Sequence, residues 1–377
     1  MKIPLARPCL GKEEAHAAYD TVMSHWVTQG PRVEEFEKKF ASYVGSRYAV
    51  AVSSCTAALH LAMIVSGVRE KDEVICPSLS YIATANSITY VKAKPVFSEV
   101  DPKTYNLDVS HAERLITSKT KAILLVHQMG LPADIDRFKK CCARHNLELI
   151  EDAACAAGAS YKGKKIGSHS DLVCFSFHPR KVITTGDGGM LTTHNEKYWR
   201  RLKLLRHHGM SVSDSARHRS KRPLFEEHTE IGFNYRLTDI QAAVGIKQLE
   251  KLDQIVSERR KIAGRYNEAF KNEAFIRLPV EPKGCVTNYQ SYPIYLKKEA
   301  SMTRDAFIQK LWKKGVAAKR GIMVAHRETA YRKTFGKLIL PLSEDASERS
   351  FLIPLYVPMS KKEVDYVTQS VLSALHD

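Results

Sequence analysis

The chain has 377 residues, 44% hydrophobic and 26% charged, with 58 Lys and Arg against 41 Asp and Glu, a formal charge of +17. That length carries one large core and a smaller one, and no apolar run nears the roughly 20 residues a membrane span needs, which excludes a helical membrane protein. The N-terminus lacks a positive-then-apolar secretion pattern, and the eight cysteines show no metal-ligand spacing, so a cytoplasmic location with reduced thiols and no metal is expected.

Residues 12–25 and 34–44 read as helices. Tyr48–Val52 reads as a strand, followed by Ser53-Ser54-Cys55-Thr56 and a helix over Ala57–Val65. A helix start presents unpaired N–H groups, and the hydroxyls of Ser54 and Thr56 add donors, so the unit suits a phosphate. Plain N-capping accounts for the same residues. Strands follow at Glu73–Cys76, Pro95–Phe97 and Ala122–Val126, with a helix predicted over Ile82–Tyr90 between the first two. Leu147–Asp152 reads as a buried parallel strand ending in an acidic pair. Leu172–Phe177 is another β-type run, and Met190–Thr193 reads as its hairpin return. Strands alternating with helices imply βαβ units, hence an α/β fold with a mostly parallel sheet. From Leu237 to Phe270, apolar Ile240, Ala243, Val244, Leu249, Leu252 and Ile255 recur at helical steps. The domain change is placed within this helix, giving a large domain over 1–250 and a smaller α+β domain over 251–377. In the latter, 276–296 reads as strands, 303–315 as a helix and the surroundings of Pro341 as a loop.

Chemistry concentrates around Lys181, in Ser176-Phe177-His178-Pro179-Arg180-Lys181, which ends one strand and precedes the turn Gly186-Asp187-Gly188-Gly189. A lysine held at such a place suits Schiff-base formation with a carbonyl compound or pyridoxal phosphate. Asp152 ends a second strand of the same sheet, where functional residues of open α/β sheets collect. A carboxylate there can keep a pyridine nitrogen protonated. Taken alone, Lys181 reads equally as a surface lysine and Asp152 as a helix cap.

Positive charge clusters at Lys197, Arg200, Arg201, Lys203, Arg206, Arg217, Arg219, Lys221 and Arg222. No nucleic-acid-binding signature accompanies it. A solvated basic loop and a site for a phosphorylated substrate both account for it, and nucleic acid is not expected as a partner.

These motifs together resemble the pyridoxal-phosphate-dependent aminotransferases of nucleotide-sugar biosynthesis, with the aspartate-aminotransferase-like fold. The resemblance begins at Pro4 and Pro8 and runs through Trp26–Pro31 and Phe36-Glu37 to Ser350–Pro354. Its most specific pieces are Ser53–Leu59, Glu151–Ala154, Ser176–Lys181, Gly186–Gly189 and Gly232–Arg236. By this resemblance Lys181 binds the cofactor covalently and shuttles protons, Asp152 pairs with the pyridine nitrogen, and Tyr81 covers the cofactor face. Cys55, Thr56 and Ser176 would hold the phosphate. Asn234 would reach the phosphate of a neighbouring subunit, which implies a homodimer with shared sites. Arg320, Met323 and His326 are suggested near the substrate. The implied donor is L-glutamate, and the implied acceptor a nucleotide-linked keto-sugar.

Two positions depart from the family pattern. Cys155 stands where Gln or Glu is usual and could meet the cofactor's phenolic oxygen, and Ala157 stands where His is common. Related sugar dehydratases carry His in place of the lysine, so Lys181 points away from them. Another pyridoxal phosphate enzyme, such as a dehydratase or a non-sugar aminotransferase, is the second reading. A cofactor-binding regulator that uses its basic surface on nucleic acid is the third.

Overall fold

Alternate residues of the central strands are buried on opposite faces, and this decides the architecture. In β1 (Tyr48–Val52), Ala49 and Ala51 join one apolar cluster, while Val50 and Val52 join another. β4 (Thr120–Val126) divides likewise, with Ile123 and Leu125 on the first face and Ala122 and Leu124 on the second. Side chains alternate along a strand, so strands buried on both faces form the middle layer of an α/β sandwich. The computed structural model describes residues 1–212, 220 and 222–376.

β2 (Glu73–Pro77), β3 (Lys94–Ser98), β5 (Glu148–Asp152), β8 (Val173–Ser176) and β9 (Gly189–Thr193) complete the large sheet. Its order is β1-β9-β8-β5-β4-β2-β3. β9 runs antiparallel to β8 and β1, and every other pair is parallel. The mostly parallel sheet and the hairpin return after the glycine turn thus stand as expected. α1 (Lys12–Met23), α2 (Pro31–Val44) and α6 (Ile135–His145) lie among the helices around it, as do α3 (Cys55–Val65), α4 (Ala83–Tyr90), α5 (Val109–Arg114) and α7 (Glu196–Leu205). α2 sets Phe40 against Phe175 and Phe177, with ring centroids 5.0 and 5.6 Å apart. Each buried phenyl contributes about 1.5–3 kcal/mol, so this contact anchors α2 to the sheet.

α8 (Asp239–Phe270) joins two cores. Its Ile246, Leu249, Leu252 and Val256 pack on the large sheet; its Ile262, Tyr266 and Phe270 pack in a second cluster, which Ile3 also enters. That cluster lies on an antiparallel sheet of β10 (Ile276–Arg277), β12 (Tyr292–Leu296), β14 (Ser350–Ile353) and β13 (Lys319–Arg320), in that order. α9 (Arg304–Lys313) and α12 (Lys361–His376) bury Phe307 and Val367 in the same cluster. β11 (Cys285–Val286), β6 (Ser160–Tyr161) and β7 (Lys164–Lys165) form a small third sheet. Among the described residues no helix is long and apolar enough to cross a membrane.

Two helices start where local sequence did not place them, and for one reason. α2 begins at Pro31, three residues earlier than expected. Asp239, at the start of α8, accepts the N–H groups of Gly30, Val33 and Arg32 at 2.8, 3.0 and 3.0 Å. After α10 (Thr329–Phe335), Pro341 opens the helix α11 (Pro341–Arg349) instead of lying in a loop. There Glu99 accepts from the N–H groups of Leu342 and Ser343 at 3.0 and 2.8 Å. Proline is well suited to the first helical position, and a carboxylate distant in sequence satisfies the donors beside it.

Asp239→Ala strands three of these donors and is expected to cost about 2–3 kcal/mol, with Asp239→Asn recovering part of the loss. Urea unfolding checks this; an unmoved midpoint in the alanine variant would show that α8 does not hold α2.

Candidate active site

A cleft of about 670 Å³ opens beyond the carboxyl ends of the parallel strands, where such sheets gather their ligands. Asp152 enters it from the end of β5, Ser176 from the end of β8, Cys55 and Thr56 from the start of α3, and Tyr81 from the loop after β2. Cys155 and Lys181 line it too, and β13 contributes Lys319 and Arg320 on the far wall. The sheet thus brings together the residues picked from distant segments of the chain.

Asp152 is 5% exposed. One carboxylate oxygen accepts from the Thr84 hydroxyl at 3.0 Å and the other from the Ala154 N–H at 3.1 Å. The Thr84 hydroxyl is in turn 2.8 Å from that of Ser80. Burial raises the Asp152 pKa, against the pull of the Ala154 N–H and Lys181. The Lys181 amine lies 3.2 Å from the Cys155 sulfur. Burial disfavours its charge, but Cys155, Cys55 and Asp152 outweigh this and hold its pKa above the ordinary lysine value. A buried carboxylate and a half-buried ammonium therefore share one cavity.

At the start of α3, the Ser54 hydroxyl accepts from the Ala57 N–H at 3.1 Å and caps the helix. The N–H groups of Cys55 and Thr56 lie in the first turn, where a helix supplies no acceptor. Gly189 makes room for this turn: a Cβ there would lie 2.5 Å from the Ser54 carbonyl and 2.7 Å from the Cys55 nitrogen. Its need is steric. Of the glycines in Gly186–Gly189, Gly186 alone has a positive φ, at 87°. The Cys55 side chain is buried, and burial pushes its thiol pKa well up, so its backbone N–H is the stronger donor at the cleft.

This geometry accommodates pyridoxal phosphate. It offers a fixed carboxylate for the ring nitrogen, an amine for the aldehyde, and a helix start with the hydroxyls of Thr56 and Ser176 for the phosphate. Tyr81, 69% exposed at the rim, is free to cover a ring. Asn234 is exposed, accepts from Arg236 Nε at 3.0 Å and does not line the cleft of its own chain.

Two expectations need correction. His326 does not line the cleft. It is fully buried, with Nδ1 2.6 Å from the Ser78 hydroxyl and Nε2 3.0 Å from Glu344, so it ties the segment before α10 to the loop after β2. Arg320 and Met323 do line it. Arg206 is no member of a solvated basic stretch; it is buried and bonded to Glu37 and to the Ala51 carbonyl. Arg200 and Arg201 pair with Glu196 and Glu230. Arg217, Arg219 and Lys221 lie outside the described residues. Sequence reasoning also missed Thr84, Arg180 and Lys319. Thr84 was visible as a hydroxyl near a helix start, but nothing local joins it to Asp152, 68 residues away.

The DegT/DnrJ/EryC1/StrS aminotransferase family matches residues 8–372. The uncharacterized protein MJ1066 of Methanocaldococcus jannaschii is 40% identical over 372 residues, which are 98% of this chain and 96% of the relative. Helicobacter pylori PseC, an aminotransferase involved in the biosynthesis of pseudoaminic acid, superposes with a TM-score of 0.93 at 28% identity, covering 100% of both chains. The PLP form of Streptococcus pneumoniae Spr1654 has a TM-score of 0.93 at 27% identity, covering 100% of this chain and 99% of that one. The chain belongs to the DegT/DnrJ/EryC1/StrS aminotransferase family.

Gly189→Ala pushes a methyl group into the start of α3 and should cost about 1–3 kcal/mol of stability. Gly264→Ala, in α8, meets nothing within 4 Å and should instead gain about 0.5–1 kcal/mol. Thermal melts of the pair check the steric assignment; equal shifts in both would contradict it.

Proposed function

We propose that this aminotransferase-family chain is a pyridoxal-phosphate-dependent sugar aminotransferase that moves an amino group from L-glutamate to a keto group of a nucleotide-linked sugar. The observation that carries it is the joint placement of Asp152, Lys181 and the start of α3 in one cleft. The family match, the sugar-linked relative PseC and the PLP form of Spr1654 support it.

Pyridoxal phosphate, when bound, supplies a reactive aldehyde and a ring that withdraws electrons. Lys181 is its covalent anchor. The Lys181 amine, in the cleft 3.2 Å from the Cys155 sulfur, would be the base that takes up and gives back a proton at the donor's Cα. Asp152 keeps the ring nitrogen protonated, and Thr84 fixes the direction of that carboxylate. The N–H groups of Cys55 and Thr56, with the hydroxyls of Thr56 and Ser176, hold the phosphate. Tyr81, at the rim, would cover one face of the ring. Cys155 sits against the Lys181 amine, with its sulfur 3.2 Å away, and a thiol is a weak hydrogen-bonding group. Residues 1–250 hold the cofactor, and residues 251–377 bring Arg320 to the rim.

Asn234, which does not line the cleft of its own chain, would reach the phosphate held by a second copy, giving a homodimer with shared sites. The eight cysteines are all free, which supports a reducing, cytoplasmic setting. Neither nucleic acid nor membrane is a partner.

Purified holoenzyme given L-glutamate and a panel of nucleotide-linked keto-sugars should release 2-oxoglutarate and convert one sugar to its amine, read by mass. Loss of the cofactor band with no aminated sugar anywhere in the panel would move the acceptor to another class. Asp152→Asn should lower turnover at least about 10²-fold, because a neutral amide no longer favours the protonated ring. Its melting temperature should fall far less than its turnover, since the amide oxygen still accepts from Thr84 while only the bond from the Ala154 N–H is lost. Near-normal turnover in this variant would remove Asp152 from the chemistry.

A further inference from the structure

The cleft carries positive charge that the mechanism above does not use. Arg180, beside Lys181, and Lys319, on β13, line the same cavity. Among the described residues neither side chain has a hydrogen-bond or ion-pair partner, and the neighbouring Arg320 has only Glu328, at 3.8 Å. The two carboxylates of the cleft do not neutralise them: Asp152 is bonded to Thr84 and Ala154, and Asp187 makes no ion pair with either. Arg180 and Lys319 are exposed at the open cleft, and Lys319 stands within electrostatic reach of Arg180, Lys181 and Cys155; partial desolvation in the cleft, then repulsion from Arg180, lowers its pKa. Cations placed side by side without an anion are unfavourable, and a bound anion relieves them.

We propose that Arg180 and Lys319 form an anion subsite that holds a carboxylate of the amino donor while the donor's amine stands at Lys181. The inference rests on the aminotransferase reading. Proximity selects the ligand. An amino acid's α-carboxylate is two bonds from its nitrogen, so an anion held beside the Lys181 amine belongs to the reacting end of the molecule. In a nucleotide-linked sugar the phosphates are separated from the keto carbon by the sugar ring. The guanidinium fork of Arg180 matches a carboxylate, and Lys319 adds a point charge.

Calorimetry with glutarate, a dicarboxylate without an amine, tests the subsite on the holoenzyme independently of turnover. Lys319→Gln and Arg180→Gln should each weaken glutarate binding about 10- to 100-fold, the usual effect of losing a charged hydrogen-bond partner. The KM for L-glutamate should rise in parallel, with the cofactor absorbance and pyrophosphate binding unchanged. Lys319→Arg should recover part of the loss. Unaltered glutarate binding in both Gln variants overturns the proposal. A loss confined to pyrophosphate also overturns it and assigns the cations to the acceptor's phosphates. If the variants lose glutarate but wild-type enzyme releases no 2-oxoglutarate from L-glutamate, the subsite stands and the donor assignment falls.

Discussion

A buried carboxylate and a half-buried ammonium that share one cleft are the constraint on which this molecule is built. Separating two such charges from solvent is costly, and the cost is offset only where each has fixed partners. For Asp152 those partners are Thr84 and the Ala154 N–H; for Lys181 they are Cys155 and the field of Asp152. The β5 strand that carries Asp152 lies between β4 and β8, with Val126 and Cys174 opposite it. Neither end of that strand can shift without breaking a parallel ladder on one side.

Behind the strand a second polar pair secures it. Glu151 points to the opposite face and meets His127 at 2.9 Å, both fully buried. The Ala133 N–H donates to His127 Nδ1 at 3.1 Å, which leaves Nε2 to donate to Glu151. Burial alone would raise the Glu151 pKa; the bond from His127 outweighs it and keeps the carboxyl below its usual range. The His127 backbone N–H also donates to the Asp152 carbonyl at 3.1 Å. One short segment therefore locks the backbone of Asp152 and the side chain of its neighbour.

Much of this was legible in the sequence where the signal is local. Tyr48–Val52 and Ala122–Val126 are apolar runs bounded by polar turns, and both are strands. Asp152 and Lys181 each follow such a run, and parallel sheets put those ends side by side. What the sequence did not disclose depends on strand order and on partners far along the chain. Thr84 reaches Asp152 because β4 seats β2 and β5 at the right spacing. Pro341 opens a helix because Glu99 arrives to accept its N–H groups. Arg206 looked like part of a basic stretch because Glu37, 169 residues earlier, is invisible to local reading. His326 looked available for substrate because its partners, Ser78 and Glu344, come from separate elements.

The most direct measurement is borohydride reduction of the purified holoenzyme followed by peptide mapping. The account predicts a yellow protein whose long-wavelength band disappears on reduction, with the pyridoxyl group found on Lys181. A stable adduct on a different lysine, or no adduct on a protein that binds the cofactor fully, would contradict it.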